Sequence, residues 1–107
     1  MPPKRSLRKT KDEVAFITCA SGPGLLREEV WEDNSGTVVR YNLAFINHFL
    51  YPKDNGRVLG YDNSHGFHHR HFMGKVETIK FKDYETLASR FRDEVQELWR
   101  KEDEKNR

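Results

Sequence analysis

Residues 37–47 read TVVRYNLAFIN, and this stretch decides the fold class. Val39, Tyr41, Leu43 and Phe45 place an apolar residue at every second position. A period of two in β-branched and aromatic residue types is typical of a strand that buries one face. We therefore predict a central β-strand here.

Three weaker strand patterns flank the central one. LLREEVWE (25–32) precedes it across the turn-forming DNSG, RVLGYD (57–62) follows an Asn55-Gly56 turn, and VETIKF (76–81) follows Gly74. Short turn-forming connections favour antiparallel neighbours. The sequence therefore predicts a four-stranded antiparallel meander. Residues 14–24, VAFITCASGPG, fit either a short strand or a helical turn before the terminating SGPG.

The C-terminal segment changes period. From residue 84 onward the apolar residues follow the spacing of one helical stripe, and most residues between them are charged: Tyr84, Leu87, Ala88, Phe91, Val95, Leu98 and Trp99. Asp83 suits the N-cap and Glu85 the first turn, where exposed amides favour negative charge. We predict an amphipathic helix that covers one sheet face, which gives an α+β fold.

The length of 107 residues predicts one domain. We divide the chain into a basic, flexible N-terminal arm, residues 1–13, and a single α+β domain, residues 14–107. The arm holds five cationic residues against two acidic ones, so it could contact phosphates, although a solvated tail with no partner is the alternative.

The composition also indicates a compartment. No run approaches the roughly 18 apolar residues of a membrane span, and the polar start lacks a secretory signal. Cys19 is the single cysteine, so the chain has no internal disulfide to form. We therefore expect a cytoplasmic protein with no membrane partner.

Residues 60–71, GYDNSHGFHHRH, hold four of the five histidines within seven positions. We expect them near a rim of the sheet, in the connection after the third strand. Histidine titrates near pH 6.5, so it can exchange protons at neutral pH. If HHRH is extended, His69 and His71 share one face, with Cα atoms about 7 Å apart, and can straddle one phosphate. His68 and Arg70 then face the other way.

Two other interpretations of the histidines stay open. A metal site would need convergent ligands, and HHRH has neither the HExxH form nor cysteine partners, while Arg70 opposes a dication. The histidines could also be ordinary polar loop residues, because Asp62, Asn63 and Gly66 fit a tight turn without catalysis.

The motif GYDNSHGFHHRHFMG, between a strand like VVRYNLAFIN and a strand followed by an amphipathic helix, resembles the TumE family of toxins from toxin-antitoxin pairs. The likeness runs from about Leu25 to Trp99. Its most specific positions are a Tyr-Asp-Asn, a His-Gly and a His-Arg-His: Tyr61, Asp62, Asn63, His65, Gly66, His69, Arg70 and His71. The short loop between Gly66 and His68 departs from the family pattern.

The resemblance implies a growth-inhibiting toxin of a type II pair, neutralised by a helix-turn-helix antitoxin, with RNA as its target. Homodimerisation is left open. With the residue chemistry it predicts a metal-independent ribonuclease that needs no cofactor, in which a base activates the 2′-OH, an acid protonates the leaving oxygen and a cation stabilises the phosphorane. The alternatives are a non-catalytic RNA- or protein-binding module and a metal-dependent nuclease.

The candidate residues follow from this mechanism. His69 and His71 are the expected acid/base pair, in either order, and His65 is a second candidate for either role. Arg70 is the expected phosphate clamp, which requires a bulged or twisted strand. Asp62 would fix an imidazole tautomer. The expected RNA contacts are Tyr61, Asn63, Phe67, His68 and Lys75.

Overall fold

The predicted central strand lies in the middle of an antiparallel sheet. In the computed structural model, which describes residues 6–105, the sheet has six strands in sequence order, and a C-terminal α-helix packs on it. The elements are β1 (Arg8–Cys19), β2 (Gly22–Glu32), β3 (Val38–Ile46), β4 (Arg57–Asp62), β5 (His69–Phe72), β6 (Lys75–Thr78) and α1 (Tyr84–Lys105). The α+β meander is therefore confirmed, but the strand count of four is wrong.

The sequence pattern missed β5 and the first half of β1, whereas residues 14–19 of β1 fall in the stretch for which a short strand was one of two predictions. β1 is an edge strand that is exposed along nearly its whole length, and its first half, RKTKDE, contains no apolar residue. It forms a backbone ladder with β2 along its length, and ion pairs between the two strands add to this ladder, including Lys9 to Glu29 at 2.7 Å and Lys11 to Glu28 at 3.5 Å. β5 has four residues, HRHF, and three of them are charged or titratable. Polar strands of this kind are invisible to a pattern built on hydrophobic periodicity.

The boundary between arm and domain stays a prediction. Residues 1–5, with Lys4 and Arg5, lie outside the described part of the chain. Residues 8–13 form the first half of β1 and pair with β2, from Arg8 opposite Glu32 to Glu13 opposite Glu28. A flexible arm would therefore have to end before Arg8.

The helix begins as predicted. The Asp83 carboxylate accepts a 2.7 Å hydrogen bond from the Thr86 amide, the contact expected of an N-cap. The buried stripe is Leu87, Ala88, Phe91 and Val95, whereas Tyr84 and Leu98 are half-buried and Trp99 is more exposed. The Trp99 indole donates to the Thr18 carbonyl at 2.9 Å, which ties the helix to the end of β1.

The helix divides the sheet into two unlike faces. Its stripe packs on Tyr41, Leu43 and Phe45 of β3 and on Leu59 and Tyr61 of β4, all of which are almost fully buried. We call this side the helix face. Because strand side chains alternate, the intervening residues point away from the helix. We call that side the open face, and no element of the described chain packs over it as α1 does over the helix face.

Candidate functional site on the open face

The register of β3, β4 and β5 decides which polar side chains share the open face. Leu43 pairs with Tyr61 and Tyr61 pairs with Arg70, so all three lie on the helix face. The alternate positions pair Asp62 with His69 and Gly60 with His71. Since paired residues share a face, the regular register of β5 brings Asp62, His69 and His71 together on the open side.

Asp62 lies between the two imidazoles. Its Oδ2 atom is 2.9 Å from Nε2 of His71, and its Oδ1 atom is 4.0 Å from Nδ1 of His69. The ring centroids of His69 and His71 are 6.2 Å apart. Asp62 is 8% exposed. The predicted histidine pair is thus on one face as expected, but it lies on a strand rather than in the connecting loop.

Ser64 fixes the carboxylate from the loop side. Its hydroxyl donates to Asp62 Oδ1 at 2.7 Å and its backbone N–H donates to the same atom at 3.2 Å. Burial raises the pKa of Asp62, but the hydrogen bonds from Ser64 and the interaction with His71 together outweigh it, so the pKa lies below its ordinary value. Asp62 is therefore ionised at neutral pH and accepts hydrogen bonds.

Arg57 brings a cation to the same cluster. Its Nη1 atom is 3.7 Å from Asp62 Oδ2, and its Nε atom donates to Asp54 at 2.9 Å. A register shift between Phe45 and Ile46 turns Arg57 to the open face, where it pairs with Ile46. The sequence analysis missed this residue.

Gly60 leaves the space that the Arg57 side chain crosses. A Cβ atom at position 60 would lie 2.8 Å from Cδ of Arg57 and 3.2 Å from the Leu43 carbonyl oxygen. Glycine inside a strand often marks such a close approach, so Gly60 was the available sequence signal for an overlying side chain.

The environment of His71 favours its neutral form. Burial lowers the pKa of His71, the charge of Arg57 lowers it further, and Asp62 offsets these effects only in part, so the pKa lies below 6.5. A neutral imidazole that bonds an ionised carboxylate through Nε2 must carry its proton there, because the carboxylate only accepts. The lone pair of His71 is then on Nδ1.

Arg70 lies on the opposite side of the sheet from the histidine pair. Its guanidinium donates to Glu94 of α1 at 3.0 Å, to the Tyr61 hydroxyl at 3.1 Å and to Glu77 at 3.3 Å. The bulge that would turn it toward His69 and His71 does not occur, since β5 pairs with β4 without a register shift. Arg70 joins the helix to the sheet and is no part of the open-face cluster.

Most of the other predicted RNA contacts are engaged elsewhere. Tyr61 is fully buried, and burial together with the Glu94 contact raises its pKa to about 12. The Asn63 side chain is hydrogen-bonded to the backbone of β3: its Oδ1 accepts from the Tyr41 amide, and its Nδ2 donates to the Val39 carbonyl. His68 stacks on Phe81 at 4.0 Å.

The three remaining candidates, Lys75, His65 and Phe67, lie outside the cluster formed by Asp62, His69 and His71. Lys75 is exposed at the start of β6 and pairs with Phe72, on the helix face. His65 is exposed on the turn after β4, with a φ of 65°. Phe67 is 60% exposed, and its ring centroid lies 5.9 Å from that of His69. Of the three, Phe67 is the residue that lies next to the cluster of Asp62, His69 and His71, through its ring contact with His69.

In the described part of the chain, no group of three or more histidine, cysteine, aspartate or glutamate residues could hold a metal ion. Over the same residues, no helix has the length and apolarity to cross a bilayer.

The fold and the cluster define an α+β protein that carries two histidines, a carboxylate and an arginine on the uncovered face of an antiparallel sheet. The sequence model of the family described as Toxin TumE matches residues 23–99, from the start of β2 to the second-last turn of α1. The chain belongs to the TumE toxin family, which confirms the resemblance and implies a role as a toxin. No curated protein and no solved structure matches the chain significantly.

Proposed function

We propose that this toxin acts as a metal-independent ribonuclease, with the open-face cluster as its active site. One observation carries the proposal: the ionised Asp62 lies between His69 and His71, at 4.0 and 2.9 Å, with Arg57 beside it. Two imidazoles and a cation on one face match the needs of RNA cleavage by the 2′-OH.

His71 serves as the base. Asp62 holds its Nε2–H, so Nδ1 is free to take the proton of the 2′-OH. The 2′ oxygen attacks phosphorus while the bond from phosphorus to the 5′ oxygen breaks. His69, in its protonated form, supplies the proton that the leaving oxygen takes up. The products carry a 2′,3′-cyclic phosphate and a 5′-hydroxyl.

Arg57 takes the role that the sequence analysis gave to Arg70. Its charge stabilises the phosphorane: Asp54 holds its Nε, Nη1 lies 3.7 Å from Asp62, and Nη2 remains for the phosphate. Phe67 offers an exposed ring beside His69 on which a base can stack. His65, on the adjoining turn, is the alternative proton donor.

An antitoxin partner follows from the toxin role. We propose the helix-turn-helix type of a type II pair, encoded beside this chain, as the resemblance implies. Co-expression should restore growth, and the two proteins should co-purify. Homodimerisation and residence in the cytoplasm stay predictions, which light scattering of the purified chain and cell fractionation would test.

The proposed function is tested with four histidine variants and one RNA. Purified wild type should cleave a short single-stranded RNA in excess EDTA, and its expression should arrest growth. His69→Ala and His71→Ala should lose both effects, and His65→Ala should retain both. His48→Ala is the matched control, because His48 is exposed in the connection before β4. Cleavage that needs a divalent metal would favour the metal-dependent alternative, and RNA binding without cleavage would favour the binding module.

A further inference from the structure

A second group of polar side chains lies on the open face, one row along the strands from Asp62. Arg40 of β3 pairs with Trp31 of β2, which pairs with Lys9 of β1. The Arg40 guanidinium carbon is 4.9 Å from the indole centroid, and the Lys9 ammonium is 5.1 Å from it. Two cations therefore flank one aromatic ring, an arrangement that stabilises both by cation–π attraction.

A β-bulge in β1 places Lys9 on the open face. Lys11 pairs with Val30, whose neighbour in β3 is Tyr41 of the helix face. Regular alternation would then place Lys9 on the helix face as well. The register shift between Lys9 and Lys11 moves Lys9 opposite Trp31, on the open face.

Arg40 differs from the other cations of this face. Lys9 is bonded to Glu29 at 2.7 Å and to Asp12 at 2.9 Å, and Arg57 is paired with Asp54 and Asp62. Arg40 is exposed and forms no ion pair within residues 6–105. Its planar guanidinium, held over the indole, presents donors that match a phosphate.

The position of Arg40 relates it to the proposed cleavage site. Asn42 pairs with Asp62, and Arg40 is two residues along β3, so Arg40 and Asp62 are diagonal neighbours about 7 to 8 Å apart at their Cα atoms. An arginine side chain can span most of that distance. A strand of RNA whose scissile phosphate lies at His69, His71 and Arg57, beside Asp62, can thus reach Arg40 with an adjoining nucleotide.

We infer that Arg40, held by Trp31, is a second RNA subsite that binds the phosphate of a nucleotide next to the cleaved bond. This inference rests on the proposed RNA cleavage at Asp62, His69 and His71. The nearby carboxylates of Glu29 and Asp12 do not oppose it, because two cations, Lys9 and Arg27, pair with both of them.

Binding of an uncleavable RNA tests the subsite without requiring catalysis. The probe is a short, fluorescent, fully 2′-O-methylated RNA, followed by anisotropy at about 50 to 200 mM salt. Arg40→Ala should weaken binding about fivefold at ~0.1 M salt and lower the slope of log affinity against log salt by about 0.7. Arg92→Ala, an exposed arginine on α1 across the sheet, is the matched control and should change neither.

Cleavage of two substrates separates the subsite from the active site. Arg40→Ala should lower kcat/KM for a longer RNA about fivefold and leave cleavage of a dinucleotide unchanged, because a dinucleotide has no adjoining phosphate. Unchanged RNA binding in Arg40→Ala, or equal weakening in Arg92→Ala, overturns the subsite. Loss of antitoxin affinity alone would also overturn it, as the face would then bind protein. If the wild type binds RNA through Arg40 but cleaves neither substrate, the subsite stands and the proposed catalysis fails.

Discussion

Arg70 and Arg57 lie on opposite faces of the sheet, so changing Arg70 to alanine should lower stability and changing Arg57 to alanine should lower activity. Arg70→Ala should unfold the protein more easily and leave the RNA site intact, because Arg70 joins β5 to Glu94 of α1 on the helix face. Arg57→Ala should leave stability nearly unchanged and abolish activity, because Arg57 lies beside Asp62 on the open face.

The expected loss of stability in Arg70→Ala follows from how exposed the Arg70 and Glu94 side chains are. The Arg70 and Glu94 side chains are 19% and 23% exposed, between a surface pair and a buried pair. Breaking a buried pair costs about 3 to 5 kcal/mol and losing a surface pair costs about 0 to 1, so we expect about 2 kcal/mol for Arg70→Ala. At roughly 4 to 8 °C per kcal/mol, Tm should fall by about 8 to 16 °C. Arg57→Ala should cost about 0.5 kcal/mol and reduce kcat about 10² to 10³-fold.

The assay pairs thermal melting with RNA cleavage measured well below the lower Tm. Glu94→Gln and the double variant with Arg70→Ala complete a cycle that isolates the contact between α1 and β5. An Arg70→Ala protein that melts like wild type but does not cleave, alongside an active Arg57→Ala protein, would refute the assignment of the two faces.

Three other outcomes are expected. In a plot of kcat/KM against pH, the limb that rises as His71 loses its proton should have its midpoint below pH 6.5. Arg57→Ala should move that midpoint upward, because the charge of Arg57 lowers the pKa of His71. The pKa of Asp62 is lowered on folding, so its contribution to stability is present above the unfolded value and is lost as pH falls through the folded one; acid unfolding followed by circular dichroism should show a smaller loss in Asp62→Asn. Leu87→Ala and Phe91→Ala should each cost about 2 to 5 kcal/mol in denaturant unfolding, because both side chains lie in the core, and an unchanged midpoint would contradict that packing.

The sequence predicted the elements that bury apolar surface. β3 and α1 show clear periods of two and 3.6 residues because each presents one apolar face, and the Asp83 cap follows from the same logic. His69 and His71 could be grouped because alternate residues of a strand share a face, whereas the place of Asp62 beside them depends on the register between β4 and β5.

The other features of the site depend on strand register and on contacts between distant residues, which no local sequence pattern encodes. The side on which Arg57 lies is decided by a register shift between Phe45 and Ile46, and that of Lys9 by a shift beside Thr10. Alternation placed Arg70 on the face opposite the histidine pair, but its partner, Glu94, lies 24 residues away on the helix and has no local sequence signal. The first half of β1, RKTKDE, is polar and exposed, so it carries no apolar signal.

The chemistry of the product ends tests the central claim most directly. A short RNA and its copy with a single 2′-deoxy nucleotide at the cleaved position are incubated with the wild type in excess EDTA, and the ends are identified by mass spectrometry. Attack by the 2′-OH, with His71 as the base, predicts 2′,3′-cyclic phosphate and 5′-hydroxyl ends from the RNA and no cleavage of the deoxy copy. Ends with 3′-hydroxyl and 5′-phosphate, or cleavage of the deoxy copy, would contradict the proposed use of Asp62, His69 and His71.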